Sequence, residues 1–212
     1  MWNVDCTIAL VVDVVLCAIA ITTGWVVNHG LSRHWREWYH SLPKSRATPP
    51  PIVFSIVWTA LYLCIAAAGI TARFYYEQPA NTATYAISVA SQVMYYCQWG
   101  LNIAWAPIFF LGQAPTVALV VLFLTFGTST SAMVLFFLIK WVPGLLMSFY
   151  VFWLFFALFL NLRIVMKLMN HYTEGGFKIE QKEEIDIRSE MSAPKHPKNG
   201  KHARRNATEI LI

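Results

Sequence analysis

The chain has 212 residues, of which 57% are hydrophobic, 15% aromatic and only 13% charged, and its mean hydropathy is +0.50. Because an ordinary globular domain carries about 25% charged residues, too few polar side chains are present to cover a soluble fold of this length. The composition excludes a soluble globular protein and a disordered chain, and it predicts a protein of the lipid bilayer. The net charge of +5 is then typical of basic cytosolic loops, not of nucleic-acid binding.

Five apolar stretches are long enough to cross a bilayer, which takes about 20 residues of helix. They predict an all-α integral membrane protein, a bundle of five transmembrane helices, with spans at 6–28, 52–74, 85–109, 115–139 and 144–168. No Lys or Arg precedes Arg33, and Asp13 interrupts the first stretch. We therefore expect the first span to be retained as a helix instead of being removed as a signal peptide.

The basic residues are distributed unequally between the two sides of such a bundle. The loop at 29–51, the 110–114 loop and the C-terminal tail share one side, which holds fourteen Lys and Arg residues, whereas the other side holds only Arg73 and Lys140. Since basic loops face the cytosol, we expect the N-terminus outside and the C-terminus in the cytosol.

The composition changes after Asn170. Residues 1–170 form the expected membrane domain, and residues 171–212 form a charged tail with few apolar residues to bury. We expect this tail to be disordered or loosely ordered, and recruitment of a protein partner through it is one hypothesis for its role.

The sequence contains no catalytic or metal-binding motif. Its cysteines fall in apolar stretches at spacings that match no zinc or redox motif, and no paired carboxylates, Gly-rich phosphate loop or HExxH helix occurs. We therefore expect neither a catalytic site nor a metal site, and no cofactor.

Amide and aromatic side chains recur at helical spacing on three spans, which places each set on one helix face. The third span carries Tyr95, Gln98, Asn102, Trp105 and Phe109. The fifth span carries Tyr150, Trp153, Ala157 and Asn161, and the second carries Trp58 and Tyr62.

These three faces support two interpretations. In the first, the amides and hydroxyls bond to one another and hold a packed bundle together. In the second, they line an apolar, aromatic-walled cavity with a few orienting polar groups, the usual character of a small-ligand site. Such a cavity suits a flat, hydrophobic ligand with one or two polar corners, such as a sterol or a tetrapyrrole.

Two further features are open to alternative interpretations. On the first span, the stripe through Asp13, Gly24 and Asn28 permits close helix contact. Asp13 itself is either an intramembrane functional carboxylate or a residue near the outer interface.

The loop from Trp35 to Pro51 mixes aromatic and basic residues. It is either an interfacial anchor or a lid over the cytosolic mouth of the cavity.

Motifs in three segments resemble the TspO/translocator protein family of tryptophan-rich sensory proteins and peripheral benzodiazepine receptors. The first loop and second span read Trp38-Tyr39-x-x-Leu42-x-Lys44, Pro49-Pro50 and Val57-Trp58-x-x-Leu61-Tyr62. The third span reads Gln98-x-x-x-Asn102-x-Ala104-Trp105-x-Pro107-x-Phe109-Phe110. The fifth reads Tyr150-x-x-Trp153-x-x-Phe156-Ala157-x-x-Leu160-Asn161. Together these segments extend over about 10–168.

The resemblance implies a five-helix bundle, usually a homodimer, whose pocket binds cholesterol, porphyrins such as haem, and drug-like ligands. Animal members of the family lie in the outer mitochondrial membrane, plant members in the secretory pathway and bacterial members in the envelope, and we expect the outer mitochondrial membrane or the endoplasmic reticulum here. Its pocket residues correspond here to Trp58, Asn102, Trp105, Phe109, Trp153 and Ala157, with Tyr62 and Gly24 nearby. With Asn161 from the fifth-span stripe, these are the candidate ligand-binding residues.

Three functions fit these observations. The first is a membrane protein that binds sterols or tetrapyrroles and is linked to their transport or sensing, without turnover. The second, implied by the resemblance, is an enzyme that degrades porphyrins with light and oxygen and uses Trp58 and Trp153. The third is a scaffold whose tail recruits a partner under control of the ligand.

Overall fold

A computed structural model describes residues 4–26, 33–43, 48–76 and 82–192 of the chain. The chain divides into two compact units, one of residues 1–170 and one of residues 171–212. All regular secondary structure among the described residues is helical, and none of these residues forms a strand. This result confirms the all-α class.

The described residues form six α-helices in succession. They are α1 (Val4–Trp25), α2 (Arg33–Ser41), α3 (Pro51–Tyr76), α4 (Thr82–Ala106), α5 (Pro115–Ile139) and α6 (Trp141–Ser192), with a π-helical turn at Pro107–Leu111 between α4 and α5. Proline stands at the first position of α3, of the π-turn and of α5. At the start of α3 and of α5 its missing N–H costs no helical hydrogen bond and its fixed φ favours helix initiation. At Pro107 the helical conformation continues from Ala106, so the missing N–H removes one bond of the α-helical pattern.

Four of these helices, α1, α3, α5 and α6, are long and apolar enough to cross a membrane. The spans expected at 6–28, 52–74, 115–139 and 144–168 are confirmed to that extent. Helix α4 is 25 residues long but less apolar, because its inner face buries Ser88, Ser91, Gln98 and Asn102. The span expected at 85–109, and with it the total of five, therefore stays a prediction.

The core of the bundle is formed by one face of each long helix. Large side chains that are wholly or almost wholly buried come from α3 (Ile65), α4 (Trp99), α5 (Phe136) and α6 (Tyr150). The outward faces expose large apolar residues, for example Phe152 and Phe155 on α6. A helix that is apolar on its outside and polar or aromatic on its inside is typical of a bundle solvated by lipid.

The π-turn at the end of α4 sets the direction of the aromatic residues that follow Trp105. Pro107 begins the turn, and the Gly112 N–H donates a hydrogen bond to the Pro107 carbonyl oxygen over 2.9 Å. The chain then reverses through Gln113, whose φ is +48°, before α5 begins. The expected third span thus ends as an α-helix at Ala106, and Phe109 belongs to the turn, where π-type turns often mark functional sites.

The part of the second unit that the structure describes differs from the disorder expected of the tail. Helix α6 continues to Ser192, and the tail beyond it lies outside the described residues. The tail's Glu, Lys and Gln residues are strong helix formers, and the costly nucleation step is already made by the membrane-spanning part of α6. An i, i+4 pair at 3.6 Å, Arg188 to Glu184, adds a small stabilisation.

A buried ion pair joins α1 to α3. Both Arg73 terminal nitrogens donate to the Asp13 carboxylate, over 2.5 and 3.1 Å, and Asp13 is completely buried. Tyr95 donates to Asp13 over 3.2 Å, and Arg73 donates to the Tyr96 hydroxyl over 2.5 Å. Arg73 is thus an interhelical partner of Asp13 and lies within α3 instead of in a loop.

Substitution of Gly69 is expected to disturb this cluster. A Cβ atom at Gly69 would overlap the hydroxyl end of Tyr95, which also bonds to the Ile65 carbonyl oxygen over 3.4 Å. We expect Gly69→Ala to destabilise the protein by about 1–3 kcal/mol through overpacking, measured as thermal unfolding in detergent. Gly100→Ala is the matched control, because its Cβ would meet no atom within 4 Å. Equal stability of the two variants would refute this contact.

Candidate ligand-binding site

The helices of the first unit enclose a cavity of about 420 Å³, which lies within the range of small-molecule sites. All the long helices contribute to its wall, together with α2 and the π-turn. The wall residues from α1 and α3 include Ile21, Gly24, Phe54, Trp58 and Tyr62. Those from α4, the π-turn and α6 include Asn102, Trp105, Phe109, Ala157 and Asn161.

The structure brings eight of the nine candidate residues to this wall and leaves one outside it. The eight are Gly24, Trp58, Tyr62, Asn102, Trp105, Phe109, Ala157 and Asn161. Trp153 is not part of the wall, although its ring packs at 5.8 Å on the wall residue Phe54. The three stripes therefore converge, whereas binding of a ligand by these residues stays a prediction.

Three polar side chains form a hydrogen-bond network between α3, α4 and α6. The Tyr62 hydroxyl donates to Oδ1 of Asn102 over 3.1 Å, and Nδ2 of Asn102 donates to the Tyr150 hydroxyl. Asn102 is buried, and an unpaired amide in such a place is costly. Asn102 therefore bonds between helices, as the first interpretation of the stripes predicts. The stripes also line a cavity, as the second interpretation predicts.

Aromatic rings make up much of the cavity surface. Trp58 packs on Tyr62 and on Tyr150, with ring centroids 5.5 and 6.2 Å away. Trp105 stacks on Phe109 at 5.1 Å with an interplanar angle of 21°. Trp105 and Phe109 are four residues apart, a spacing that predicted a shared helix face. The two rings stay in contact although the π-turn begins between them, at Pro107.

Helix α2 closes one end of the cavity. Tyr39 and His40 belong to its wall, and Trp38 and Tyr39 pack on Phe109 at 5.7 and 6.5 Å. Burial raises the pKa of Tyr39, so the phenol stays neutral at physiological pH. This packing favours the lid interpretation of the first loop over a purely interfacial anchor; Lys44 lies outside the described residues.

The model of the TspO/MBR family matches residues 12–166 of the chain. The chain belongs to the TspO/MBR family. It is 29% identical over 152 residues to protein CrtK of Rhodobacter capsulatus, a match that covers 71% of this chain and 86% of CrtK. It is also 27% identical over 137 residues to the tryptophan-rich sensory protein of Cereibacter sphaeroides, covering 65% of this chain and 77% of that protein. The resemblance seen in the sequence is confirmed.

Charge is absent from the described part of this TspO/MBR cavity wall. No Asp, Glu, Lys or Arg occurs among the described wall residues, and His40 is their only titratable group other than tyrosine. An ionised ligand group in the interior would therefore find no described counter-ion.

Two buried polar groups of the wall residues have no hydrogen-bond partner among the described residues. They are the side-chain amide of Asn161, on a residue only 3% exposed, and the indole N–H of Trp105. Buried polar groups are nearly always paired in folded proteins. A polar ligand group placed within hydrogen-bond distance of either one would supply the missing partner.

The sequence did not single out several apolar wall residues, among them Phe54, Leu122 and Ile164. Aliphatic and phenyl groups occur on every face of these helices, so no sequence signal distinguishes inward-facing from lipid-facing side chains.

Gly24 does not make the close helix contact that its small size predicted. A Cβ there would meet nothing within 4 Å, so Gly24 borders open space instead of permitting a close helix contact.

Proposed function

We propose that this TspO/MBR protein binds a flat, hydrophobic molecule with one or two polar corners, a sterol or a tetrapyrrole, in its intrabundle cavity. Binding is linked to transport or sensing of that molecule across or within the membrane. The observation that carries the proposal is the convergence of eight candidate residues on one aromatic-walled cavity. The name of its relative, tryptophan-rich sensory protein, is in keeping with a sensing role.

The proposal includes five membrane spans. Helix α4 has enough residues to cross the bilayer, buries its amides inside the bundle and exposes Tyr85, Val89 and Val93 outward. The basic-residue distribution supports an outer N-terminus and a cytosolic C-terminus. We extend the proposal to a homodimer in the outer mitochondrial membrane or the endoplasmic reticulum, as the family resemblance implies.

Binding is favoured over photochemical degradation of porphyrins. The catalytic alternative places both Trp58 and Trp153 at the ligand, but only Trp58 belongs to the cavity wall. Trp153 packs on the wall residue Phe54 and is not itself a wall residue. The binding function needs only the wall itself.

Trp58→Ala is expected to weaken binding. In a titration of the purified protein with cholesterol and with protoporphyrin IX, followed by quenching of tryptophan fluorescence, the wild type should show saturable binding. Loss of a buried aromatic contact should raise the Kd of the bound ligand by about 30-fold.

Trp141→Ala is the matched control, because Trp141 is exposed at the start of α6 and is not a wall residue. It should leave the Kd unchanged. Wild-type protein that binds neither ligand, or a Trp58→Ala variant that binds like the wild type, would refute the proposed function.

A further inference from the structure

Among the cavity-wall residues, Asn161 combines deep burial with an amide that has no described partner. We propose that Asn161 recognises a single hydroxyl group on a neutral, rigid, apolar ligand, so that the cavity selects a hydroxylated sterol over a tetrapyrrole with carboxylates. This inference rests on the proposed function and narrows its ligand class.

The amide of Asn102 is already occupied within the protein. Its Oδ1 accepts from the Tyr62 hydroxyl, and its Nδ2 donates to the Tyr150 hydroxyl. A ligand that competed for this amide would break bonds that join α3, α4 and α6. Asn102 therefore shapes the cavity, and recognition of a polar ligand group falls to another residue.

The two wall threonines that lie on helices, Thr59 and Thr125, donate within their own helices. Thr59 donates to the Ser55 carbonyl oxygen over 2.8 Å, and Thr125 donates to the Val121 carbonyl oxygen over 2.8 Å. Such internal bonds satisfy the hydroxyl without a ligand. Asn161 differs because neither its nitrogen nor its oxygen bonds to a described residue.

An amide group matches a hydroxyl in hydrogen-bonding capacity. It offers a donor and an acceptor together, and a hydroxyl both accepts and donates. The Trp105 indole provides one more donor on the same wall. The remaining surface, built from rings such as Trp58 and Phe109, suits a rigid apolar body.

The absence of charge on the described wall selects against carboxylates. Burying an ionised carboxylate without a cation or several hydrogen bonds is strongly unfavourable. Tetrapyrroles such as protoporphyrin IX carry two carboxylates, and the described wall offers neither Lys nor Arg to pair with them. A neutral hydroxyl avoids this cost.

The test compares ligands that differ in one group, bound to the purified full-length protein in lipid nanodiscs. The probes are cholesterol, its 3-deoxy analogue cholestene, protoporphyrin IX and protoporphyrin IX dimethyl ester. The wild type should bind cholesterol about tenfold more tightly than the deoxy analogue, as expected for one hydrogen bond to a buried amide. It should also bind the dimethyl ester more tightly than the free acid, and cholesterol more tightly than the free acid.

Asn161→Leu removes the amide at similar volume, and Asn161→Gln restores an amide at the same position. We expect Asn161→Leu to bind cholesterol and the deoxy analogue equally and to unfold at a temperature no lower than the wild type, because a buried unpaired amide is removed. Asn161→Gln should recover part of the preference for cholesterol. Asn170→Leu, an exposed position on the same helix, should keep the full tenfold preference.

Two results would overturn the inference while leaving the proposed function intact. One is wild-type protein that binds cholesterol and its deoxy analogue equally, or an Asn161→Leu variant that still distinguishes them. The other is tighter binding of free protoporphyrin IX than of both its ester and cholesterol. Wild-type protein that binds none of the four probes would refute the inference and the proposed function together.

Discussion

Asp13→Ala is expected to lower the stability of the protein by about 3–5 kcal/mol, the effect of leaving a buried charge without its partner. In this variant the Arg73 guanidinium, only 9% exposed, loses both of its bonds to the carboxylate. Tyr95 loses an acceptor at the same time. Arg73→Leu should be destabilising to a similar degree, because it leaves the buried Asp13 carboxylate without its cationic partner.

The control is the double variant Asp13→Leu with Arg73→Met, which removes both charges. Replacing a buried ion pair by apolar residues is often neutral or stabilising, so the double variant should be at least as stable as the wild type. Unfolding is followed by circular dichroism in detergent. An Asp13→Ala variant with wild-type stability, or a double variant as unstable as the single ones, would contradict this account of the pair.

Ala157→Phe is expected to reduce the affinity for cholesterol by about 100-fold. Ala157 lies on the cavity wall, and a phenyl ring there would occupy the space that the ligand needs. Because the cavity can take up the added ring, stability should change by less than about 1.5 kcal/mol. The measurement is the same fluorescence titration, together with a thermal unfolding curve.

Ala60→Phe is the matched control, since Ala60 is exposed on α3 and outside the described wall. It introduces the same ring without touching the cavity and should bind like the wild type. If Ala157→Phe also bound like the wild type, the ligand would have to lie outside this cavity.

Helical periodicity was sufficient to predict the part of the site that rests on amide and indole groups. Polar residues in lipid must turn inward, so the spacing of Asn102 and Trp105 on α4 and of Ala157 and Asn161 on α6 indicated the wall directly. Trp153 obeys the same periodicity, yet it packs on Phe54 beside the cavity. Periodicity defines a helix face but not how far around that face a cavity extends.

Partners that are distant in the chain could not be predicted from one sequence. Asp13 and Arg73 are 60 residues apart, and nothing in their spacing links them. The sequence therefore left Asp13 without a partner and counted Arg73 as a loop residue. The burial of both charges depends on the packing of α1 against α3, which is a property of the assembled bundle.

Helix formation in α2 and in the tail could not be predicted from composition alone. Residues 33–41 are mostly polar and aromatic, and α2 forms there because Trp38 and Tyr39 find packing partners in the π-turn after α4. In the tail, low hydrophobicity predicted disorder, but good helix formers extend α6 to Ser192.

Photolabelling with a diazirine sterol tests the central claim, that the inward faces of α3, α4 and α6 form one ligand site. The account predicts labels on wall residues such as Trp58, Phe109 and Ile164, lost when excess cholesterol competes. Labels on lipid-facing residues such as Phe152 and Phe155 should persist when excess cholesterol is added. Competed labels confined to Phe152 and Phe155, with none on the wall, would contradict the account.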